Sequence, residues 1–178
     1  DDLLAHGTDT GDRLVATTVV STSLLRRVAA LHGATVTEVL TGFKWIANTA
    51  CDHDGTFVFG FEEALGYSAG NVVRDKDGVS TALLFLDLAS WCKARGTTVL
   101  DHLTGLYGRV GYAASAQTAI KRPGLDGKDQ IAAIMKGLRD RPPQTVAGLA
   151  VQQVRDLHTG VATTLATGET TAIDLPRS

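Results

Sequence analysis

Several features that would define a class of protein are scarce in this sequence. Its 178 residues contain only two cysteines, too few for a disulfide framework, which favours a reducing, cytoplasmic setting. No stretch is long and apolar enough to cross a bilayer, and none has the pattern of a signal peptide. The five histidines are scattered without the spacing of metal ligands. These absences argue against a disulfide-stapled module, a membrane-spanning protein and a histidine metal site.

A basic face is also missing. The 17 Lys and Arg residues nearly balance the 19 Asp and Glu residues, for a net charge of −2. Such a balance gives no electrostatic footprint for nucleic acid or for a membrane surface, and we expect neither as a partner. The hydrophobic share is 44% and the charged share 20%, as in a globular chain. Any charged ligand must therefore be held by local clusters of residues.

The first part of the chain alternates strand and helix patterns. Residues 14–20 are rich in β-branched side chains and predict a buried strand. Residues 24–31 carry an apolar stripe at helical spacing, and residues 35–40 predict a second strand. A strand, a helix and a strand in so short a stretch form a βαβ unit, which pairs its strands in parallel.

The alternation continues to about residue 111. A loop at 41–46 leads into a helix that reaches about Cys51, and residues 56–61 predict a third strand, followed by a Gly-punctuated loop. Two further helices are predicted, one from Gly78 to about Arg95 and one over 98–107. We therefore expect an α/β fold: a three-layer α/β/α domain with a mostly parallel sheet over residues 1–111. Residues 1–7 have the pattern of the last turns of a preceding helix.

The pattern changes after Gly111. Residues 112–120 alternate as a half-exposed strand would, and residues 129–138 predict an amphipathic helix. Residues 146–155 predict an antiparallel strand, and the tail from Thr159 is expected to be loop. This second part, residues 112–178, is predicted to be a partial α+β domain.

The stretch from Phe57 to Gly78 is the best candidate for a ligand site. It begins as a buried strand and ends abruptly in Glu62 and Glu63. Ligands of α/β sheets bind beyond the carboxyl ends of the strands, and a carboxylate there can accept hydrogen bonds from two adjacent sugar hydroxyls. The alternative is that these acids cap the loop or pair with Arg74.

Two basic segments could reach the same crevice. Lys44 stands at the start of a helix, whose N-terminus favours an anion. Arg74 and Lys76 share one face of an extended segment that could hold a phosphate or place an amine beside a reacting hydroxyl. In each case the alternative is a solvated surface charge.

The sequence contains no GxSxG, P-loop, CxxC or HExxH motif. Instead, five other blocks stand in a fixed order and spacing: TGFKWI at 41–46, FGFEEALGY at 59–67, RDKDG at 74–78, GRVGYAASA at 108–116 and QQVRDLHTG at 152–160. Together they resemble the α-D-phosphohexomutases, the family of phosphoglucomutases, phosphomannomutases and related phosphopentomutases. The resemblance covers the third domain of that family and the start of the fourth.

That resemblance implies a four-domain enzyme around one cleft. A phosphoserine in the first domain donates the phosphoryl group, an aspartate-rich loop in the second holds Mg²⁺, and the fourth carries an Arg-x-Ser-Gly-Thr phosphate loop. The reaction interconverts the 1- and 6-phosphates of glucose or mannose, or the 1- and 5-phosphates of a pentose. It passes through a bisphosphorylated intermediate such as glucose 1,6-bisphosphate, which also acts as activator. The implied partners are a phosphosugar substrate and the remaining domains of the enzyme.

The same resemblance assigns roles to individual residues. Glu62 matches the first Glu of the sugar-recognition motif Glu-x-Ser-Gly, in which Ala64 replaces the serine and Leu65 the glycine. This form is more similar to the phosphoglucomutase and phosphopentomutase branch. Lys44 and Arg74 fall at substrate-binding positions of the cleft. Lys76 matches a lysine near the reacting hydroxyl, which implies help in acid–base catalysis.

The chain lacks the Ser-His-Asn-Pro nucleophile loop and the Asp-x-Asp-x-Asp-Arg metal loop. We therefore expect it to be inactive alone and to supply no metal ligand. Two other hypotheses remain: a sugar- or nucleotide-binding α/β module without chemistry, and a degenerate mutase homologue that acts as a regulator.

Overall fold

The computed structural model describes residues 1–8 and 11–175. The chain forms two compact units, Asp1–Ser115 and Ala116–Ser178, and each is described here by itself. No helix within the described ranges is long and apolar enough to span a membrane.

The first unit is built on a four-stranded sheet with the order β2-β1-β3-β4. Its strands are β1 (Arg13–Thr18), β2 (Thr35–Val39), β3 (Thr56–Glu62) and β4 (Gly66–Ala69). The central strand β1 pairs in parallel with both β2 and β3, and β4 pairs antiparallel with β3. The parallel βαβ pairing predicted from the sequence is confirmed.

Helices cover both faces of this sheet. Those of the first unit are α1 (Asp2–His6), α2 (Leu24–Leu31), α3 (Phe43–Asp52), α4 (Gly78–Ala94) and α5 (Val99–Val110). Leu14 and Ala16 of β1 pack in one core with α3, whereas Val15 packs in a second core with α2 and α5. Because alternate side chains of a strand point to opposite faces, the two cores lie on opposite sides of the sheet. The predicted three-layer α/β/α architecture is confirmed.

Strand β4 corrects the predicted loop after Glu62 and Glu63. The chain makes a tight turn at residues 63–65 and returns along β3, with Glu62 opposite Gly66. The two glycines of this stretch had predicted a loop, but antiparallel backbone pairing with β3 outweighs that local preference. The candidate site is therefore a hairpin and not an open loop.

The second unit contains α6 (Gly127–Asp140) and five short strands: β5 (Thr145–Val146), β6 (Leu149–Ala150), β7 (Gln153–Asp156), β8 (Val161–Thr164) and β9 (Thr170–Ala172). Strands β5 and β6 form a hairpin, and β7, β8 and β9 form an antiparallel sheet. The amphipathic helix predicted at 129–138 is confirmed and is slightly longer at each end.

Two strand predictions and one loop prediction for the second part were wrong. Residues 112–120 form no strand, because an alternating pattern of small side chains buries too little apolar surface without a partner strand. Residues 146–155 are interrupted by a two-residue turn at Ala147 and Gly148, both with positive φ, which suits a type I′ hairpin. The tail after Thr159, expected to be loop, supplies β8 and β9, whose β-branched residues favour strands.

Candidate functional site

The candidate site lies at the carboxyl edge of the parallel strands. The chain passes from β1 to β2 on one side and then crosses to β3 on the other side of β1. The carboxyl ends of β1 and β3, at Thr18 and Glu62, therefore flank a point where the direction of winding reverses. Crevices at such points are where open α/β sheets bind their ligands.

Glu62 is the acid at the centre of this edge. Its side chain is only 7% exposed, although it is the last residue of β3. One carboxylate oxygen, Oε1, lies 2.8 Å from the ammonium of Lys76. The other, Oε2, accepts a hydrogen bond from the backbone N–H of Gly42 at 3.2 Å. Because each carboxylate oxygen has two lone pairs, both oxygens keep the capacity to accept a further hydrogen bond.

Lys76 reaches Glu62 because the turn before α4 is anchored to the hairpin. The backbone N–H of Asp77 donates to the carbonyl of Tyr67 in β4 at 2.6 Å. The Asp77 carboxylate caps α4 by accepting from the backbone N–H of Ser80 at 3.0 Å. Hydrogen bonds from Ser80 are the main reason that the pKa of Asp77 lies below its ordinary value. The backbone at Lys76 is thus held between a strand and a helix start.

The Lys76 ammonium makes a second contact. It donates to the carbonyl oxygen of Ala64 at 3.1 Å, while its side chain stays 41% exposed. An ammonium has three N–H donors, so one remains for a ligand. The structure therefore brings together three of the residues selected from the sequence: Glu62, Ala64 and Lys76. The alternative pairing of Glu62 with Arg74 does not occur, because Lys76 takes that position.

Three neighbours of this cluster were missed by the sequence analysis: Gly42, Phe43 and Gly66. The buried Phe43 ring lies 5.9 Å from the Lys76 ammonium. A Cβ atom at Gly66 would lie 2.7 Å from Phe43, 2.9 Å from Glu62 and 2.9 Å from Lys76. Glycine at this position is what allows the three side chains to meet. The sequence did carry one signal for them: Gly42 and Gly66 each follow the end of a predicted strand.

The hairpin turn at 63–65 contains a strained residue. Leu65 has φ of 52° and is 79% exposed. Positive φ is costly for a side chain with a Cβ, and the matching position of a three-residue hairpin turn favours glycine. The strain therefore falls where the Glu-x-Ser-Gly pattern has its glycine. Ala64, in the serine position of that pattern, is exposed beside it.

Glu63 faces a different set of partners. Its carboxylate accepts a hydrogen bond from the hydroxyl of the buried Thr18 at 3.1 Å. Partial burial raises the pKa of Glu63, but hydrogen bonds from Ser21, its own backbone and Thr18 outweigh that effect and leave the pKa below its ordinary value. Glu63 therefore ties the hairpin turn to the end of β1, while Glu62 faces Lys76.

Lys44 and Arg74 lie at the periphery of the cluster. Lys44 is exposed in the first turn of α3, two residues after Gly42, with its ammonium 5.3 Å from the Trp45 ring. Arg74 is exposed and borders a narrow cleft that Asn71 and residues of α3 between Ile46 and Cys51 also line. The structure places Lys44 on the helix start that contacts Glu62. It places Arg74 beside a later part of that helix.

A metal centre is not formed by the described side chains. Over residues 1–8 and 11–175, no three His, Cys, Asp or Glu residues are grouped closely enough to hold an ion. The chemistry of the site is instead that of a buried carboxylate, a partly exposed ammonium and backbone donors, which suits a ligand with several hydroxyl groups.

The fold and this edge define a class: an α/β/α domain with a cluster of polar side chains at the winding reversal of its sheet. Residues 1–109 match the sequence profile of phosphoglucomutase/phosphomannomutase, alpha/beta/alpha domain III. The chain therefore belongs to the phosphoglucomutase/phosphomannomutase family, as the sequence motifs had indicated.

Two phosphoglucomutases among the curated relatives agree with this assignment. A phosphoglucomutase of Staphylococcus aureus strain MRSA252 is 36% identical over 168 residues, which cover 93% of this chain and 30% of the relative. The phosphoglucomutase of strain bovine RF122 / ET3-1 matches to the same extent, with 36% identity over 168 residues. A crystal structure from Thermus thermophilus, described as a phosphomannomutase, superposes with a TM-score of 0.49 at 27% identity, covering 57% of this chain and 22% of that chain. The chain thus spans about 30% of the length of the curated relatives it matches.

Proposed function

We propose that this chain supplies the sugar-recognition part of a phosphosugar mutase. The whole enzyme would interconvert glucose or mannose 1-phosphate and 6-phosphate. A phosphoserine would pass its phosphoryl group to the free hydroxyl of the substrate, and the resulting bisphosphate would return its other phosphoryl group to the serine. The observation that carries this proposal is Glu62, a buried carboxylate with open acceptor positions at the winding reversal of a family-matched domain.

Glu62 is proposed to bind sugar hydroxyl groups. Its two oxygens are oriented by Lys76 and by the backbone of Gly42, so that a sugar meets a carboxylate already in place. Preorganised acceptors of this kind bind without the cost of ordering them. Ala64, the proposed substrate-binding residue in the serine position of the pattern, has a methyl group in place of a hydroxyl, and its carbonyl accepts from Lys76 at 3.1 Å.

Lys76 is proposed to act as a general acid or base at the reacting hydroxyl. Because its ammonium already donates to a carboxylate and a carbonyl, proton donation through its remaining N–H is the role that the geometry supports best. Lys44, an exposed cation in the first turn of α3, is proposed to contact the phosphate group of the substrate. Arg74, an exposed cation beside a later part of that helix, is proposed to contact another part of the substrate.

The remaining parts of the reaction are assigned to other regions of the enzyme. We place the phosphoserine, the ligands of Mg²⁺ and the Arg-x-Ser-Gly-Thr loop on those regions, and glucose 1,6-bisphosphate as the intermediate. The isolated chain is therefore expected to have no mutase activity. A cytoplasmic location is part of the same proposal and is supported by the two free cysteines, Cys51 and Cys92.

A pair of adjacent acids provides the test. In the whole enzyme, Glu62→Gln should raise the Kd for glucose 1-phosphate about 10- to 100-fold, because a charge-assisted hydrogen bond contributes about 1.5–3 kcal/mol. Glu63→Gln is the matched control, since Glu63 bonds Thr18, and its Kd should change less than about threefold. Calorimetric titration measures both, and ribose 1-phosphate run in parallel distinguishes hexose from pentose preference. An unchanged Kd for Glu62→Gln would remove Glu62 from the site.

A further inference from the structure

One ammonium group links two separate parts of the hairpin formed by β3 and β4. Lys76 Nζ lies 2.8 Å from Glu62 Oε1 and donates to the Ala64 carbonyl at 3.1 Å. The first contact is with the end of β3, and the second is with the turn that follows it. No other side chain in the described part of the structure hydrogen-bonds both residues.

The turn that Lys76 holds is under strain. Leu65 follows Ala64 directly and has φ of 52°, a conformation that costs a residue with a Cβ about 1–2 kcal/mol. Its side chain is 79% exposed, so burial of the leucine does not offset that cost. Strained residues persist where the surrounding structure over-determines them, and such residues cluster at ligand clamps.

The other end of the link is rigid. Asp77 is buried, caps α4 through Ser80 and donates its backbone N–H to Tyr67. Lys76 therefore extends from a fixed backbone to a strained, exposed turn. Through the hydrogen bonds of its ammonium, Lys76 therefore restrains the turn relative to the start of α4.

We propose that Lys76 is a positioning residue, which holds the Glu62 carboxylate and the turn at 63–65 in the geometry that recognises a sugar phosphate. The proposal rests on the proposed function for the nature of the ligand, and it adds a role to the general acid or base assignment. Without the ammonium, Leu65 relaxes out of the left-handed region and Glu62 loses its orientation.

The first test needs no sugar. The Gly42 amide donates to Glu62, so its hydrogen exchange reports whether the carboxylate stays in place. Lys76→Met keeps the length of the side chain but removes its donors, and should accelerate this exchange about tenfold. Lys76→Arg retains a cation and donors and should restore the exchange rate to within about threefold of the wild-type value. Lys93→Met, in the last turn of α4, is the distant control.

A double variant tests the role of strain. In Lys76→Met combined with Leu65→Gly, the turn no longer depends on the link, because glycine accepts positive φ without strain. We expect the hydrogen exchange of the Gly42 amide to accelerate less in this double variant than in Lys76→Met alone. Equal acceleration in the two variants would contradict the strained-turn part of the proposal.

The second test uses glucose 1-phosphate with the whole enzyme. Lys76→Met should raise its Kd about tenfold, and Lys76→Arg should recover most of that affinity. Unchanged Gly42 exchange and unchanged Kd, with loss of turnover only, would overturn the proposal and leave Lys76 as an acid or base alone. Accelerated exchange in a protein whose wild type binds no glucose 1-phosphate would support the link and refute the proposed function.

Discussion

Leu65 occupies a backbone position whose positive φ favours glycine. The resemblance to Glu-x-Ser-Gly identifies the position as one where glycine is usual, and the structure supplies the reason, a φ of 52° at the end of a three-residue turn. The sequence could predict the location of Glu62 from the strand that precedes it. It brought Arg74 and Lys76 to the same crevice but could not predict that Lys76 is the one that pairs with Glu62, or that Gly42 donates to it, because both contacts depend on the hairpin and the start of α3.

Relief of that strain should stabilise the first unit. Leu65→Gly should raise its free energy of unfolding by about 0.5–1 kcal/mol. The free energy gained by removing the left-handed strain exceeds the free energy lost because glycine makes the unfolded chain more flexible. Leu65→Ala is the control: it keeps the Cβ and should give no gain. Both tryptophans, Trp45 and Trp91, lie in the first unit, so denaturation followed by tryptophan fluorescence reports on this unit. A destabilised Leu65→Gly variant would refute the strain argument.

The elements were predicted best where their pattern is strong and their partners are near in sequence. Strands β1, β2 and β3 and the helices between them follow from β-branched content, short apolar runs and apolar stripes at helical spacing. Strand β4 was missed because it is short and contains glycine. Residues 112–120 were assigned to a strand for which residues 1–8 and 11–175 provide no partner. The hairpin at 145–150 escaped prediction since its turn uses Ala147, which lacks the usual turn chemistry.

The stability of the start of α4 should depend on pH. Hydrogen bonds from Ser80 lower the pKa of Asp77 in the folded state. A group with a depressed folded-state pKa contributes stability above its unfolded-state pKa and loses it as the pH falls through the folded-state value. The wild type should therefore be more stable than Asp77→Asn at neutral pH, and this difference should shrink as the pH falls below the ordinary pKa of aspartate.

Asn is a suitable comparison at this position because it caps helices without titrating. Tryptophan fluorescence during urea denaturation, repeated at a series of acidic pH values, measures the difference in the free energy of unfolding. A difference that stays constant, or grows with acidification, would show that the Asp77 charge does not stabilise the start of α4.

For the whole molecule, the family assignment and the length of the match limit which function can be proposed for this chain. Its first unit carries the α/β/α domain that the family profile describes, through residue 109. The chain spans about 30% of the length of its phosphoglucomutase relatives. Its proposed role is therefore that of a recognition part, whose binding can be measured apart from catalysis.

We propose that a phosphosugar binds at the carboxyl edge where Glu62 and Lys76 meet. The most direct measurement is a titration of the isotopically labelled chain with glucose 1-phosphate, followed by the backbone amide signals in two-dimensional NMR. We expect saturable shifts at Gly42, at residues 62–66 and at Lys76, and their loss in Glu62→Gln. Shifts confined to other surfaces, or no saturable shift at this edge, would contradict the account.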